Sequence, residues 1–488
     1  MEEARRTLKS FPPALGTFET LKQYDLAIKQ HVSALGKLSK EAQAAMAANP
    51  VAILQTLAPA DNSIGYLTVL DIAHGEKTEP SAQVLDMTLE FFLNFDVCQV
   101  RYVGAMFSSL LEKVGSGAIF PPKVAVELLV AVILRLDPSG SIFTSTHLVL
   151  AKLAYASSTV ERALPVLDAD ILFYPAITSY KETRHYLCDP DLPSLGFLTP
   201  ATGLTEQLKS ATVLEYNFLC GMLYISRRDW SKALAAFEQV ISHPSRNKGV
   251  SKIMAEAHKK WLLVGLLHQG KTPRPPSYTS PTAQASYQTT SEAYMTFASL
   301  FNTDKVGLLR TEFDTNRQAW EEDGNASLAA EAMSAYQKWQ IINLRQVYLR
   351  VSISEVRRTT LNAETGEPLA DDQATLALVR DMIESGMLLG LIQTGRNDGE
   401  SYLAFGNAQN SMSEVEFAKE VARSQQSIEF LSTQYRLTNE RLSANKDYLR
   451  HLIRDQKRSE MDKEADAAIG FETQIEDEDL MTGVLAHA

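Results

Sequence analysis

The sequence predicts a mainly α protein: an α-solenoid of tetratricopeptide-like helix pairs, then a winged-helix module, then one long C-terminal helix. Three observations predict it. Apolar segments with helical period recur through the first 340 residues, parted by short breaks that carry proline or glycine. Residues 343–406 alone mix helix caps with short apolar runs of strand character. Residues 411–464 contain neither proline nor glycine and carry one apolar stripe.

The first block spans residues 1–205. Residues 18–38, 42–57, 83–93, 99–114, 123–136 and 146–155 read as helices, with Pro50 interrupting the second. Pro80, Pro121, Pro122 and Pro138 fall in the connections, where a missing N–H ends a helix at little cost. Breaks at this spacing are those of stacked helix pairs. The next block, 206–340, holds the sharpest repeat signal. In residues 214–244, Gly221, Tyr224, Ala233 and Phe237 follow the small-and-large pattern of a tetratricopeptide repeat. Small residues let two helices approach, and aromatic rings fill the space between them. Asn217 stands where tryptophan is usual, and Pro244 comes one residue early. Residues 252–269 continue as a helix, and the proline- and serine-rich residues 270–282 read as a flexible surface loop. Helical pattern resumes over 290–341, with Gly307 and Asp323–Gly324 as turns, and a helix over 327–350 leads onward.

The winged-helix module occupies 341–406. Ser352 and Glu355 form a capping box, so a helix starts there. Gly366 and Pro368 break the chain. Asp371 or Asp372 caps a second helix, with Leu376, Val379 and Ile383 on one face and Gly386 beyond its end. Residues 387–393 and 401–405 then read as the two strands of a wing around a turn-rich TGRNDG. A strand edge exposed there would present Leu388, Leu391, Gln393, Tyr402 and Phe405 to another chain.

Residues 407–465 read as one long helix, and 411–464 alone would extend roughly 75–80 Å at ~1.5 Å per residue. Phe417, Val421, Ile428, Leu431, Tyr435, Leu442, Leu449 and Leu452 lie on one heptad seam, which Ser424, Thr438 and Asn445 interrupt. A helix that is apolar on one stripe needs partners. Residues 466–488 form an acidic tail with too little apolar content to order itself.

Composition limits the chemistry. With 488 residues the chain exceeds one compact core, and 45% hydrophobic content suits a folded soluble protein. Cys98, Cys188 and Cys220 are odd in number and far apart, which fits reduced thiols rather than disulfides or a zinc cluster. The N-terminal residues lack the apolar run of a signal peptide, and the most hydrophobic stretch, 128–134, is too short to span a bilayer. No catalytic, cofactor-binding or metal-ligating set stands out. His258 and His268 are too far apart in sequence for an H-x-H pair, and Gly115-Ser116-Gly117 lacks the third glycine of a dinucleotide loop. His185 and Cys188 have no orienting acid or oxyanion donor that the sequence identifies. The net charge is −12. Residues 341–406 hold six arginines and nine acids, a net of −3, which repels phosphates. The winged helix is therefore expected to bind protein rather than nucleic acid.

Helical repeats, winged helix and long C-terminal helix, in that order, resemble the PCI-domain proteins. That family supplies subunits of the proteasome lid, the COP-nine signalosome and the translation initiation factor three complex. The segments LEYNFLCGMLYISRRDWSKALAAFEQVI, AEAHKKWLLVGLLHQGK, VSISEVRRTTL and MIESGMLLGLIQ with DGESYLAF resemble the signalosome members most. The resemblance covers residues 205–406, and the rest more weakly. It makes 206–340 the helical part and 341–406 the winged-helix part of one PCI domain. It implies a non-catalytic scaffold, whose complex removes a ubiquitin-like modifier from cullins and so regulates cullin-RING ubiquitin ligases. The peptidase lies in another subunit. Winged helices of the family pair edge to edge, and C-terminal helices meet in one bundle. The first and eighth subunits are the implied neighbours, in cytoplasm and nucleus, with no nucleic acid, membrane or cofactor. Another PCI assembly, or a nucleic-acid-associated PCI protein, is the alternative.

Overall fold

The computed structural model describes residues 2–11, 18–75, 80–175, 186–244, 249–394, 400–405 and 414–443, with residues 446, 448–450 and 453–454 beyond them. Two compact units divide the chain after Ala404. The first is helical up to residue 346 and ends in a small three-stranded sheet. Apart from Phe405, which ends the last strand, the described part of the second is one helix, Glu414–Ser443, with a few helical residues after it.

Local chemistry sets most helix starts. Thr20, Ser39, Ser81, Asp96, Ser251 and Asp371 each accept a backbone N–H two or three residues ahead. Helix Lys40–Ala48 stops before Pro50, which opens the short helix Pro50–Leu54. Helix Lys252–Gln269 ends on Gly270 in the left-handed region, φ 67°.

The predicted helix over 99–114 is broken. Helix Val97–Val100 ends before Gly104, and helix Gly104–Gly115 begins there. The break packs against a segment far along the chain. A Cβ on Gly104 would come within 2.3 Å of the Thr202 carbonyl oxygen. Beside the break, the Arg101 guanidinium donates to the Leu187 and Asp189 carbonyls at 3.0 and 2.7 Å and covers the Phe197 ring. A helix that no predicted segment covered, Ser63–Gly75, is buried along its first two turns. An all-round apolar helix has no stripe for a periodicity argument to find.

The repeat signal at Gly221 is structural. Helices Ser210–Ser226 and Trp230–Ile241 pack as a pair around a turn in which Arg228 takes φ 58°. A Cβ on Gly221 would lie 2.6 Å from the Phe237 ring, and Phe237 is fully buried. The Tyr224 hydroxyl donates to the Leu167 carbonyl at 2.8 Å, tying this pair to helix Val160–Leu167. One apolar cluster runs without a gap from Leu8 to Ala363. The loop over 270–282 is not a free surface segment, because Pro273 and Thr279 are buried and Pro273 fills the space beside Gly265. Gly307 lies within helix Val306–Thr315 rather than in a turn, whereas Gly324 does turn, at φ 65°. The helix expected over 327–350 ends at Asn343, followed by a 3-10 turn, Leu344–Gln346.

The winged helix follows in the expected order: strand β1 (Arg350–Ser352), helix Ile353–Thr359, helix Asp372–Glu384, strands β2 (Gly390–Thr394) and β3 (Ser401–Phe405). Ser352 caps the first helix from the end of β1. The sheet order is β1-β3-β2, with β1 and β3 antiparallel and Val351 opposite Leu403. Val351, Ile353, Val356, Val379, Met382 and Leu403 are buried here, outside the large cluster. Thr375, Val379 and Met382 make the inward face of helix Asp372–Glu384, with Leu376 and Ile383 at its margins.

The close approach at Gly221 gives a direct test. Gly221→Val should overpack the pair and lower stability by about 1–3 kcal/mol, read from urea unfolding. An unchanged midpoint would mean that Phe237 moves aside freely.

Candidate partner interfaces

The sheet offers two backbone edges, and they are not both the ones expected from sequence. β3 lies between β1 and β2, so its hydrogen-bonding groups are used on both sides. Tyr402 and Phe405 therefore belong to the middle strand and do not form an edge. Both are half-buried, and the Arg350 guanidinium sits 4.1 Å from the centroid of the Tyr402 ring. Leu388 is also displaced from the proposed surface, being only 3% exposed. Gly386 turns the chain at φ 75°, and the Leu388 N–H donates to the Met382 carbonyl at 2.9 Å, which draws the side chain inward.

Leu391 and Gln393 do face solvent, on the β2 edge strand. Strand alternation adds Leu389 to the same face, and it is more exposed than Leu391, 66% against 39%. The β1 edge has apolar neighbours too. Val347 and Leu349 precede it and are 77% and 86% exposed. Sequence reading missed this pair because it carried the preceding helix through to residue 350. The signal that could have found them is the alternation Val347, Leu349, Val351, which has a period of two.

In the second unit, Val421, Ile428, Leu431, Tyr435 and Leu449 are exposed, and Leu442 is half-buried. Phe417, also on the seam, is exposed, as are Val415 and Phe430 off it. Leu452 and Asn445, and the tail over 466–488, lie outside the described residues. Most exposed large apolar side chains among the described residues fall in 347–453. Scattered apolar side chains need no explanation; these are concentrated beside the sheet edges of the first unit and along the helix of the second.

The buried histidines serve packing. His258 stacks on Tyr287, with ring centroids 4.2 Å apart, and its Nδ1 meets the Ser291 hydroxyl at 3.0 Å. His147 Nδ1 accepts the Thr144 N–H at 3.1 Å and completes a helix cap. Burial holds both imidazoles down, to about 4. Cys188 donates to the Leu21 carbonyl at 3.4 Å, and burial raises the thiols of Cys98, Cys188 and Cys220, the last to about 12. Such thiols are poor nucleophiles. His185 lies outside the described residues. Among the described residues no three His, Cys, Asp or Glu side chains converge as a metal site, and no helix is long and apolar enough to cross a membrane.

Comparison with known sequences decides the family. The family described as COP9 signalosome complex subunit 3, N-terminal helical repeats, matches residues 27–283. The chain is 38% identical over 500 aligned residues to COP9 signalosome complex subunit 3 of Neurospora crassa, covering 99% of this chain and all of that one. The chain belongs to the COP9 signalosome complex subunit 3 family. A further relative, the subunit 3 of Emericella nidulans, is 32% identical over 326 residues, 64% of this chain and 65% of that one. The subunit 3 repeats thus include the helix pair around Gly221 and end just inside helix Pro281–Thr290.

Two outcomes follow. Leu389→Asp with Leu391→Asp should shift stability by no more than about 0.5 kcal/mol, whereas Leu388→Ala should cost about 2–5 kcal/mol in urea unfolding. The histidines set an acid limit. Their folded values lie below the ordinary 6.5, so the unfolded chain takes up these protons first as pH falls. Their share of stability is whole above about 6.5, is lost between about 6.5 and 4, and is on the order of 3 kcal/mol for each ring. Unfolding midpoints measured across that window should fall with acid, and His258→Phe should flatten the fall.

Proposed function

We propose that this chain is a non-catalytic scaffold subunit of the COP9 signalosome, holding other subunits in the complex that acts on cullin-RING ubiquitin ligases. One observation carries the reading: a relative named as subunit 3 of that complex aligns along the whole chain, at 38% identity. The physical features support it. The buried polar groups described above are engaged in packing and capping, while apolar side chains gather on open sheet edges and one helix stripe. These are surfaces for proteins. The β2 edge, with Leu389, Leu391 and Gln393, and the β1 edge, with Val347 and Leu349, each offer a ladder to a neighbouring strand. Two edges serve two neighbours, proposed here as the first and eighth subunits. The stripe through Val421, Ile428, Leu431, Tyr435, Leu442, Leu449 and Leu452 is the proposed contact with helices of further subunits. We further propose that another subunit removes the ubiquitin-like modifier and that this chain works in cytoplasm and nucleus. The acidic balance of residues 341–406 gives nucleic acid no counterion-release advantage.

Ile428→Asp with Leu431→Asp tests the helix contact. Both positions are exposed, so the melting temperature of the isolated chain should hold. Burying such a side chain is worth roughly 1.5–3 kcal/mol, and about 1.4 kcal/mol is already tenfold in affinity. Recovery of the variant with the co-expressed complex should therefore fall at least tenfold. Full incorporation would remove this segment from the scaffold reading.

A further inference from the structure

Three hydroxyl side chains in the sequence stand directly before a proline: Thr199, Thr272 and Ser280. A proline in that place holds the residue before it in extended backbone and offers no N–H of its own. Proline-directed kinases read that pair. The fold withdraws two of the three. Thr272 is half-buried; its hydroxyl donates to the Ala298 carbonyl at 2.9 Å and accepts the Asn302 amide at 2.7 Å. Pro273 is buried against Gly265. Thr199 and Pro200 are half-buried in a tight bend. There the Thr199 N–H donates to the Phe197 carbonyl at 2.8 Å, and the Thr199 carbonyl accepts the Thr202 hydroxyl at 2.8 Å.

Ser280 is presented instead. Ser280, Pro281 and Thr282 are all exposed, and so are Ser277 and Tyr278 just before them. The Ser280 backbone is extended, at φ −56° and ψ 134°. Its Oγ accepts the Ala283 N–H at 3.3 Å, a contact at the long end of the hydrogen-bond range. Thr279 beside it is only 3% exposed, which leaves Ser280 as the acceptor. Residues 275–291 carry no charged side chain.

We propose that Ser280 is a phosphorylation site for a proline-directed serine/threonine kinase. Ser280 Oγ bonds to the γ-phosphorus of ATP, and the bond from that phosphorus to the β,γ-bridging oxygen breaks. The hydroxyl proton passes to the kinase, and ADP leaves. The product is compatible with the fold. Ser280 caps helix Pro281–Thr290, so the phosphate meets the unpaired N–H groups of the first turn, and the stretch has no acid of its own to repel it. Phosphorylation places about two negative charges on a neutral segment, which changes what that surface attracts.

The test uses the full chain, a purified cyclin-dependent kinase, ATP and phosphopeptide mapping. Synthetic peptides over 194–204, 267–277 and 275–286 report each motif without the fold. Divided by its peptide's rate, labelling of Ser280 in the chain should exceed that of Thr272 and Thr199 by about tenfold or more, because those two need local opening first. Pro281→Ala keeps the acceptor hydroxyl and should slow labelling of Ser280 by about tenfold or more. Ser280→Asp keeps a capping oxygen, so it should hold the melting temperature while removing the added phosphate. Chain isolated from its own cells under phosphatase inhibition should carry the same phosphate. Equal relative rates at the three motifs overturn the proposal, as does labelling of Ser280 in its peptide and not in the chain. Cellular chain phosphorylated at Thr272 or Thr199 and not at Ser280 also overturns it.

Discussion

Burial of the faces shared between consecutive helices is the constraint on which this fold depends. A single pair such as Ser210–Ser226 with Trp230–Ile241 hides its Gly221–Phe237 contact but leaves its outer faces apolar. Those faces are covered by other helices of the array, Lys252–Gln269 on one side and Ser145–Ser157, from earlier in the chain, on the other. Stability is thus passed along the array as a series of neighbour interfaces. The single apolar cluster from Leu8 to Ala363 is the outcome. Polar side chains are admitted where they close a network. Lys260 donates to Asn325, whose amide donates to the Tyr294 hydroxyl at 2.8 Å. That hydroxyl donates to Asp323, which also pairs with Lys259 at 2.7 Å. The network ties the Gly324 turn to helices Lys252–Gln269 and Glu292–Phe301.

The winged helix is built on a different economy. Its core is a handful of side chains, with Val351 and Leu403 facing each other across the β1–β3 ladder. A sheet of three short strands has two edges, and among the described residues no further strand pairs with either. Ordinarily a charge or a proline blunts such an edge. Here exposed leucines stand at the β2 edge, and Val347 and Leu349 beside the β1 edge. The second unit follows the same logic with a helix face in place of a strand edge.

Much of this was legible in one dimension. The caps at Ser352 and Asp371, the proline-set breaks and the Gly221–Phe237 spacing act within a few residues of the groups they affect. Short-range chemistry of this kind is written directly in the order of residues. Helix Ser63–Gly75 was not legible, because apolar residues on every side leave no periodicity. Neither was the break before Gly104, where the chain passes close to Thr202, about a hundred residues away.

The candidate site divides in the same way. The sequence by itself determined that a winged helix follows the helical array, that residues 341–406 are acidic in balance, and that the C-terminal helix carries one stripe. Period, caps and net charge are local or additive, so no folding is needed to read them. Only the tertiary structure decided which strand lies in the middle of the sheet. Ser401–Phe405 pairs on both sides because β1, some fifty residues earlier, returns to it, and strand order is a property of long-range pairing. That one pairing turns Tyr402 and Phe405 from edge to centre. Helix-terminal geometry at Gly386 buries Leu388, and the early end of the helix at Asn343 leaves Val347 and Leu349 in solvent beside the other edge.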